Sequence, residues 1–243
     1  MIKVENDSKF KFKQFELCQD VSAMKVGSDG ILLGAWARKE NAERILDIGS
    51  GCGLIALMAA QLHQQAKITG IEIDQGTAAE AASNAAKSPF ADRLQIICSA
   101  IQDFAEDHQS QYDLIISNPP FFSGGTLSHS ASRDAVRHTT KLSHGDLLAS
   151  VRSLLSPSGR FDVILPVLEG MRFIEHAITY GFHPVRKTIV YGKEGGRRER
   201  ILLSLAAQAP KKVVETQLAL RTAGGHRSPG FQELTAEFYL SGK

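Results

Sequence analysis

Four short apolar runs constrain this chain more than any other feature. They are residues 44–49 (RILDIG), 67–74 (KITGIEID), 94–100 (LQIICSA) and 112–117 (YDLIIS). Their near-continuous Ile and Leu content suits strands buried on both faces of a sheet. Between them lie residues 54–64, 75–87 and 101–108, rich in Ala, Leu and Gln, which read as crossover helices. This alternation implies a doubly wound, mostly parallel α/β sheet with helices on both faces.

The second half continues the pattern with punctuation. Residues 121–142 are polar and too long for a plain connection, so a functional loop or lid is expected there. Ser143, with Asp146 three residues on, opens a helix that ends near Ser156-Pro157-Ser158-Gly159. Residues 161–167 form a fifth strand closed by Pro166. A helix over 169–180 stops at Gly181. Residues 187–191 and 200–207 read as strands joined by a turn over 192–198, so one strand runs antiparallel to its neighbour. The tail, 230–240, is a helix opened by Ser228 and Pro229. Near the other end, Ser28 and Asp29 cap an apolar helix over 30–38. The organisation is an arm, 1–27, packing on one domain, 28–243; 243 residues suit a single α/β domain.

Several classes drop out. No apolar run reaches membrane-spanning length, and the N-terminus lacks the apolar stretch of a secretion signal, so a cytoplasmic protein is expected. Cys18, Cys52 and Cys98 form no C-x-x-C pair, which argues against both a disulfide framework and a metal site. The net charge is only +2, but residues 186–200 hold six basic side chains against two acidic ones. Lys9, Lys11 and Lys13 alternate with Phe10 and Phe12. Such patches read either as a polyanion footprint or as two solvated hairpins.

The first strand runs into Asp47-Ile-Gly49-Ser-Gly51-Cys-Gly53 and then a helix. The glycines allow a tight turn and close approach of a nucleotide-like ligand. A dinucleotide loop spaces its glycines G-x-G-x-x-G and cradles a pyrophosphate; here the spacing differs, and Asp47 would repel phosphates. The acid favours a ligand ammonium instead. S-adenosylmethionine carries that ammonium and no phosphate. Glu72, ending the second strand, can accept hydrogen bonds from ribose hydroxyls. Ser99 and Ala100, ending the third, are placed to line an adenine pocket. Taken singly, Asp47 and Glu72 also read as helix-start acids.

The fourth strand ends in Asn118-Pro119-Pro120-Phe121, a catalytic motif whose Asn118 is also expected to border the cofactor. Ligands in such sheets bind at the carboxyl ends of strands. The proline pair removes two backbone donors, leaving a stretch rich in carbonyls. The Asn118 side-chain carbonyl and the Pro119 main-chain carbonyl can accept both hydrogens of a ring amine. Holding both favours a pyramidal nitrogen and stabilises the positive charge that grows on it. Phe121 can stack on a flat base, worth about 1–3 kcal/mol. Phe122 either helps or packs in the core. No metal is needed.

On these residues the chain resembles the class I Rossmann-like methyltransferases and, more narrowly, the bacterial tRNA(Val) adenine-N6 methyltransferase family. Two stretches add to the resemblance: Met24-Lys25-Val26-Gly27-Ser28-Asp29-Gly30 running on to Trp36, and Arg133-Asp-Ala-Val-Arg137-His138. It implies a seven-stranded sheet with a C-terminal antiparallel hairpin. It implies S-adenosyl-L-methionine as cofactor, and as substrate the adenosine next to the anticodon (position 37) of tRNA(Val). By the same resemblance Lys25, Ser28 and Asp29 close over the methionine end of the cofactor. A helix cap with a solvated Lys is the plainer reading of those three. Arg133, Arg137 and His138 would guide RNA phosphates or order their loop. The Lys9, Lys11, Lys13 arm and the Arg197, Arg198 turn would grip the RNA backbone while the base is unstacked.

Other amine substrates fit the same motif, namely the N2 of a guanine in rRNA or a glutamine amide in a protein. A non-catalytic cofactor-binding adaptor is a further alternative, against which the intact Asn118 and Pro119 argue. An NAD-dependent oxidoreductase fails on the glycine spacing.

Overall fold

A computed structural model describes residues 9–109, 111–120 and 142–240. A hairpin of β1 (Lys9–Lys11) and β2 (Glu16–Cys18) precedes α1 (Ser28–Trp36). Then come β3 (Arg44–Ile48), α2 (Leu54–Leu62), β4 (Lys67–Glu72), α3 (Gln75–Ala86), β5 (Leu94–Cys98), α4 (Ile101–Asp107) and β6 (Tyr112–Ser117). After the undescribed stretch follow α5 (His144–Leu154), β7 (Leu155–Pro166), α6 (Val167–Thr179), β8 (His183–Tyr191), β9 (Arg198–Ala206), β10 (Val214–Ala219) and α7 (Pro229–Thr235). Among the described residues no helix is long and apolar enough to cross a membrane.

The main sheet has the order β10-β8-β9-β7-β6-β3-β4-β5. Among the described residues of this sheet, only β9 runs antiparallel to its neighbours, β7 and β8. The expected hairpin is therefore present, and among the described residues the sheet has eight strands where seven were expected. The extra one, β10, pairs in parallel with β8 at the edge. Alternation along β3 shows the layering. Ile45 joins a core with α1, α2 and α7, whereas Leu46 and Ile48 join one with α4, α5 and α6. The hairpin contributes Phe12, Phe15 and Leu17 to the first of these cores.

Two local expectations change. Ser156–Gly159 was expected as a turn ending a helix. Instead α5 stops at Leu154 and these residues lie within β7, where Tyr112 pairs with Leu155 but Leu114 with Arg160. The surplus residues form a bulge against β6. Ser28 and Asp29 do not cap α1. Gly27 is its N-cap, with no side-chain bond, and Asp29 sits in the first turn, bonded to Arg200.

Helix α1 is buried from Gly30 to Trp36, which explains its all-round hydrophobicity. Its carboxyl end is tied down by cations: Arg186 donates to the Trp36 carbonyl at 3.3 Å, and Arg160 bonds the Arg38 carbonyl. The Arg186 guanidinium also lies 4.0 Å from the centre of the Trp36 ring, while the indole N–H donates to Thr188 at 3.0 Å. Against α2, helix α1 approaches so closely that a Cβ on Gly34 would stand 2.7 Å from Met58 Sδ and 3.1 Å from its Cβ.

A branched side chain has no room at that crossing. Gly34→Val is expected to lose about 1–3 kcal/mol of stability through overpacking. Denaturant unfolding checks this; an unchanged midpoint would contradict the close α1–α2 contact.

Candidate functional site

The site is built from strand ends. Parallel register sets Ile48 of β3 beside Ile71 of β4 and Ser117 of β6, and Glu72 beside Cys98 of β5. Gly49, Glu72, Ser99 and Asn118 therefore line the carboxyl edge of adjacent strands.

The glycine turn is held from below. Gly49 N and Ser50 N both donate to the Ile71 carbonyl, at 2.9 and 3.0 Å. Gly49, Gly51 and Gly53 have φ of 72°, 54° and 88°, a region that L side chains rarely enter. A Cβ on Gly49 or Gly51 would meet nothing within 4 Å, so the turn faces open space. Glu72 braces it: one carboxylate oxygen accepts from Gly51 N and the other from Asp74 N, both at 3.0 Å. Ser99 N donates to the Glu72 carbonyl, and Ala100 is the N-cap of α4.

The structure puts Asp47 under the turn, not in the open crevice. It is fully buried, and Oδ2 accepts from Ala56 N at 3.1 Å in the first turn of α2. Its Oδ1 has no partner among the described residues. Burial pushes its carboxyl up to about 7, against the lowering effect of the Ala56 hydrogen bond; the nearby Glu72 charge adds to the rise.

Asn118 stands at the end of β6, which Ser117 fastens by donating to the Ile48 carbonyl at 2.9 Å. The Asn118 Oδ1 is buried and has no hydrogen-bond donor among the described residues. Its Nδ2 lies 3.9 Å from Met24 Sδ. Pro119 is buried and Pro120 exposed. Phe121, Phe122, Arg133, Arg137 and His138 lie outside the described residues.

The remaining expected residues divide. Lys25 and Ser28 are exposed near this edge, and Asp29 is paired with Arg200 at 2.8 Å. Arg200 pairs across the sheet with Pro166, so the turn carrying Arg197 and the start of β9 at Arg198 sit at the same edge, with both side chains exposed. The basic segment as a whole is less available than its charge suggests. Arg186 is stacked on Trp36, and Lys187 pairs with Glu215 at 2.8 Å. Lys9 faces Glu16 at 3.5 Å. Lys11 is exposed, whereas Lys13 donates to the Ala236 carbonyl near the far end of α2.

Sequence reasoning missed three residues here. Met24 is half exposed against Asn118, Ile73 offers an exposed apolar surface after Glu72, and Glu80 binds the backbone at Val21 and Ser22. Glu80 had a signal, as the one acid within the Ala-rich run of α3. Among the described residues no cluster of His, Cys, Asp or Glu could hold a metal ion.

The sequence model of the methyltransferase small domain matches residues 22–162. A tRNA1(Val) (adenine(37)-N6)-methyltransferase of Serratia proteamaculans is 42% identical over 232 residues, covering 95% of this chain and 89% of the relative. Among solved structures, a protein described as a predicted O-methyltransferase, Atu636 of Agrobacterium tumefaciens, aligns with a TM-score of 0.68 at 19% identity. It covers 86% of this chain and 96% of that one. The glycopeptide N-methyltransferase MtfA, complexed with S-adenosyl-L-methionine, aligns with a TM-score of 0.55 at 15% identity, covering 76% and 89%. At such identities these two structures bear on the fold alone.

The buried Asp47 has a thermodynamic signature. Its folded value lies above its unfolded one, so between about pH 4 and 7 the unfolded chain holds fewer protons at this site than the folded one. Asp47 therefore costs stability progressively as pH rises through that window. The stability of Asp47→Asn relative to the parent is expected to increase from pH 4 to 7 and then level off. Urea titrations across pH check this; a difference independent of pH would contradict the raised value.

Proposed function

The chain belongs to the methyltransferase small domain family and, within it, to the tRNA1(Val) (adenine(37)-N6)-methyltransferases, and from that premise we propose that it methylates the exocyclic N6 of adenine 37 in tRNA(Val). The observation that carries this reading is the Oδ1 of Asn118, buried at the carboxyl edge of β6 and without a donor among the described residues. A buried acceptor without a donor is costly, so it is best explained by a ligand that brings one. An amine with two hydrogens, held between Asn118 Oδ1 and the Pro119 carbonyl, is such a ligand.

The cofactor side fits S-adenosyl-L-methionine. Two carboxylates, Asp47 and Glu72, support an open glycine turn. Negative charge there disfavours phosphates and favours an ammonium and ribose hydroxyls. Asp47 supports the turn from beneath through its bond to Ala56 N, and Glu72 retains lone pairs beyond its two backbone bonds. The Ser99–Ala100 segment and the exposed Ile73 offer the next surface along the edge. When bound, this cofactor supplies an electrophilic methyl group on sulfur.

The chain's own task is then positioning. Asn118 and Pro119 orient the nitrogen lone pair and stabilise the charge that develops on it. The amine becomes acidic only after transfer, so water can take its proton. Arg197 and Arg198, exposed where the β8–β9 turn enters β9 at this edge, suit contacts with RNA phosphates. A tRNA substrate also accords with a cytoplasmic place of action.

The test uses purified protein, S-adenosyl-L-methionine and tRNA from cells lacking this protein, with nucleoside mass spectrometry. The parent is expected to form N6-methyladenosine. Asn118→Ala is expected to lower kcat by about 100- to 1000-fold while cofactor affinity stays close to the parent's. A methylated guanosine, or full activity in the variant, would overturn the reading.

A further inference from the structure

We propose that Glu80 of α3 is a positioning residue that clamps residues 21–24 across the catalytic end of β6. The proposal rests on the cofactor reading given above. Its geometry is independent of that reading. Glu80 Oε2 accepts from Val21 N at 2.7 Å. Its Oε1 accepts from Ser22 N at 3.1 Å and from the Ser22 hydroxyl at 2.5 Å. One carboxylate thus takes three donors from a segment far away in sequence. Burial alone would push the Glu80 carboxyl up, but the bonds from Ser22 and Val21 outweigh it and hold the group below its ordinary range.

The clamp sets which side chains face out. Ser22 turns inward and is buried, while Val21 and Met24 project, 58% and 54% exposed. Met24 thereby reaches Asn118. Gln19 Oε1 accepts from Val26 N at 2.7 Å, closing residues 19–26 into a loop. Asn84, one helical turn after Glu80, binds the adjoining backbone. Its Oδ1 accepts from Cys18 N at 3.0 Å, and its Nδ2 donates to the carbonyls of Cys18 and Cys52 at 2.8 and 2.9 Å. Cys52 lies in the glycine turn. One face of α3 therefore ties the loop to the turn on which the cofactor rests. The loop's other end is pinned by Asp29 on Arg200.

A brace that served only the fold would change the folded fraction and leave the KM of folded enzyme alone. A clamp that encloses the cofactor changes KM. Glu80→Gln keeps the size but sets an amide N–H against a backbone donor, so at least one of the three bonds is lost. Steady-state kinetics are expected to show the KM for S-adenosyl-L-methionine raised about tenfold, with kcat within about threefold of the parent. Amide hydrogen exchange at Val21 and Ser22 is expected to accelerate, with β3 and β6 unaffected. Ser22→Ala, which removes only the hydroxyl bond, is expected to move the same quantities in the same direction by a smaller step. An unchanged KM in folded Glu80→Gln overturns the proposal; so does an unchanged KM in Ser22→Ala if Glu80→Gln does not fold. Failure of the parent to bind the cofactor would sink the functional reading instead. The clamp would then stand or fall on the exchange at Val21 and Ser22.

Discussion

The parallel register of β3 between β4 and β6 is the constraint on which everything else depends. It places Ile48 beside Ile71 on one side and Ser117 on the other. Burial on both faces fixes that register, because a slip of one residue would exchange the Ile45 side for the Leu46 side. The Ser117 hydroxyl on the Ile48 carbonyl then locks the edge where the strands end. Once this holds, the glycine turn, Glu72 and Asn118 meet without further adjustment. On the proposed reading, specificity for an amine is left to the Asn118 side-chain carbonyl and its proline neighbour.

Around that edge the backbone takes turns that leave N–H groups without sheet partners, and carboxylates collect them. Asp47 takes Ala56, Glu72 takes Gly51 and Asp74, and Glu80 takes Val21 and Ser22. An ionised carboxylate only accepts, which makes it the natural partner for such turns. The three differ in burial. Asp47 lies wholly inside and its ionisation is resisted, whereas Glu80 is stabilised as the anion by its donors. The acids thus shape the loops at this edge of the sheet.

Much of this was legible in the sequence. The strands β3 to β6 were marked by near-continuous Ile and Leu, which suits a sheet covered on both faces. Asn118 was marked by the prolines after it. The rest depends on contacts distant in sequence. The strand β10 (VETQLA) is mostly exposed and acquires its form from pairing with β8. Ser-Pro-Ser-Gly at 156–159 has the composition of a turn, but pairing with β6 makes it a bulge. Asp29 reads as a cap until Arg200 is brought beside it. Arg186 counts toward a basic patch in the sequence and is a stacking partner of Trp36 in the fold.

The central claim is that Asn118 and Pro119 hold an adenine amine by its two hydrogens. A crystal structure with S-adenosylhomocysteine and a tRNA(Val) anticodon stem-loop tests it most directly. The account predicts the adenine N6 within about 3 Å of both Asn118 Oδ1 and the Pro119 carbonyl oxygen. An N6 bonded to neither oxygen, or a different base in the crevice, would contradict it.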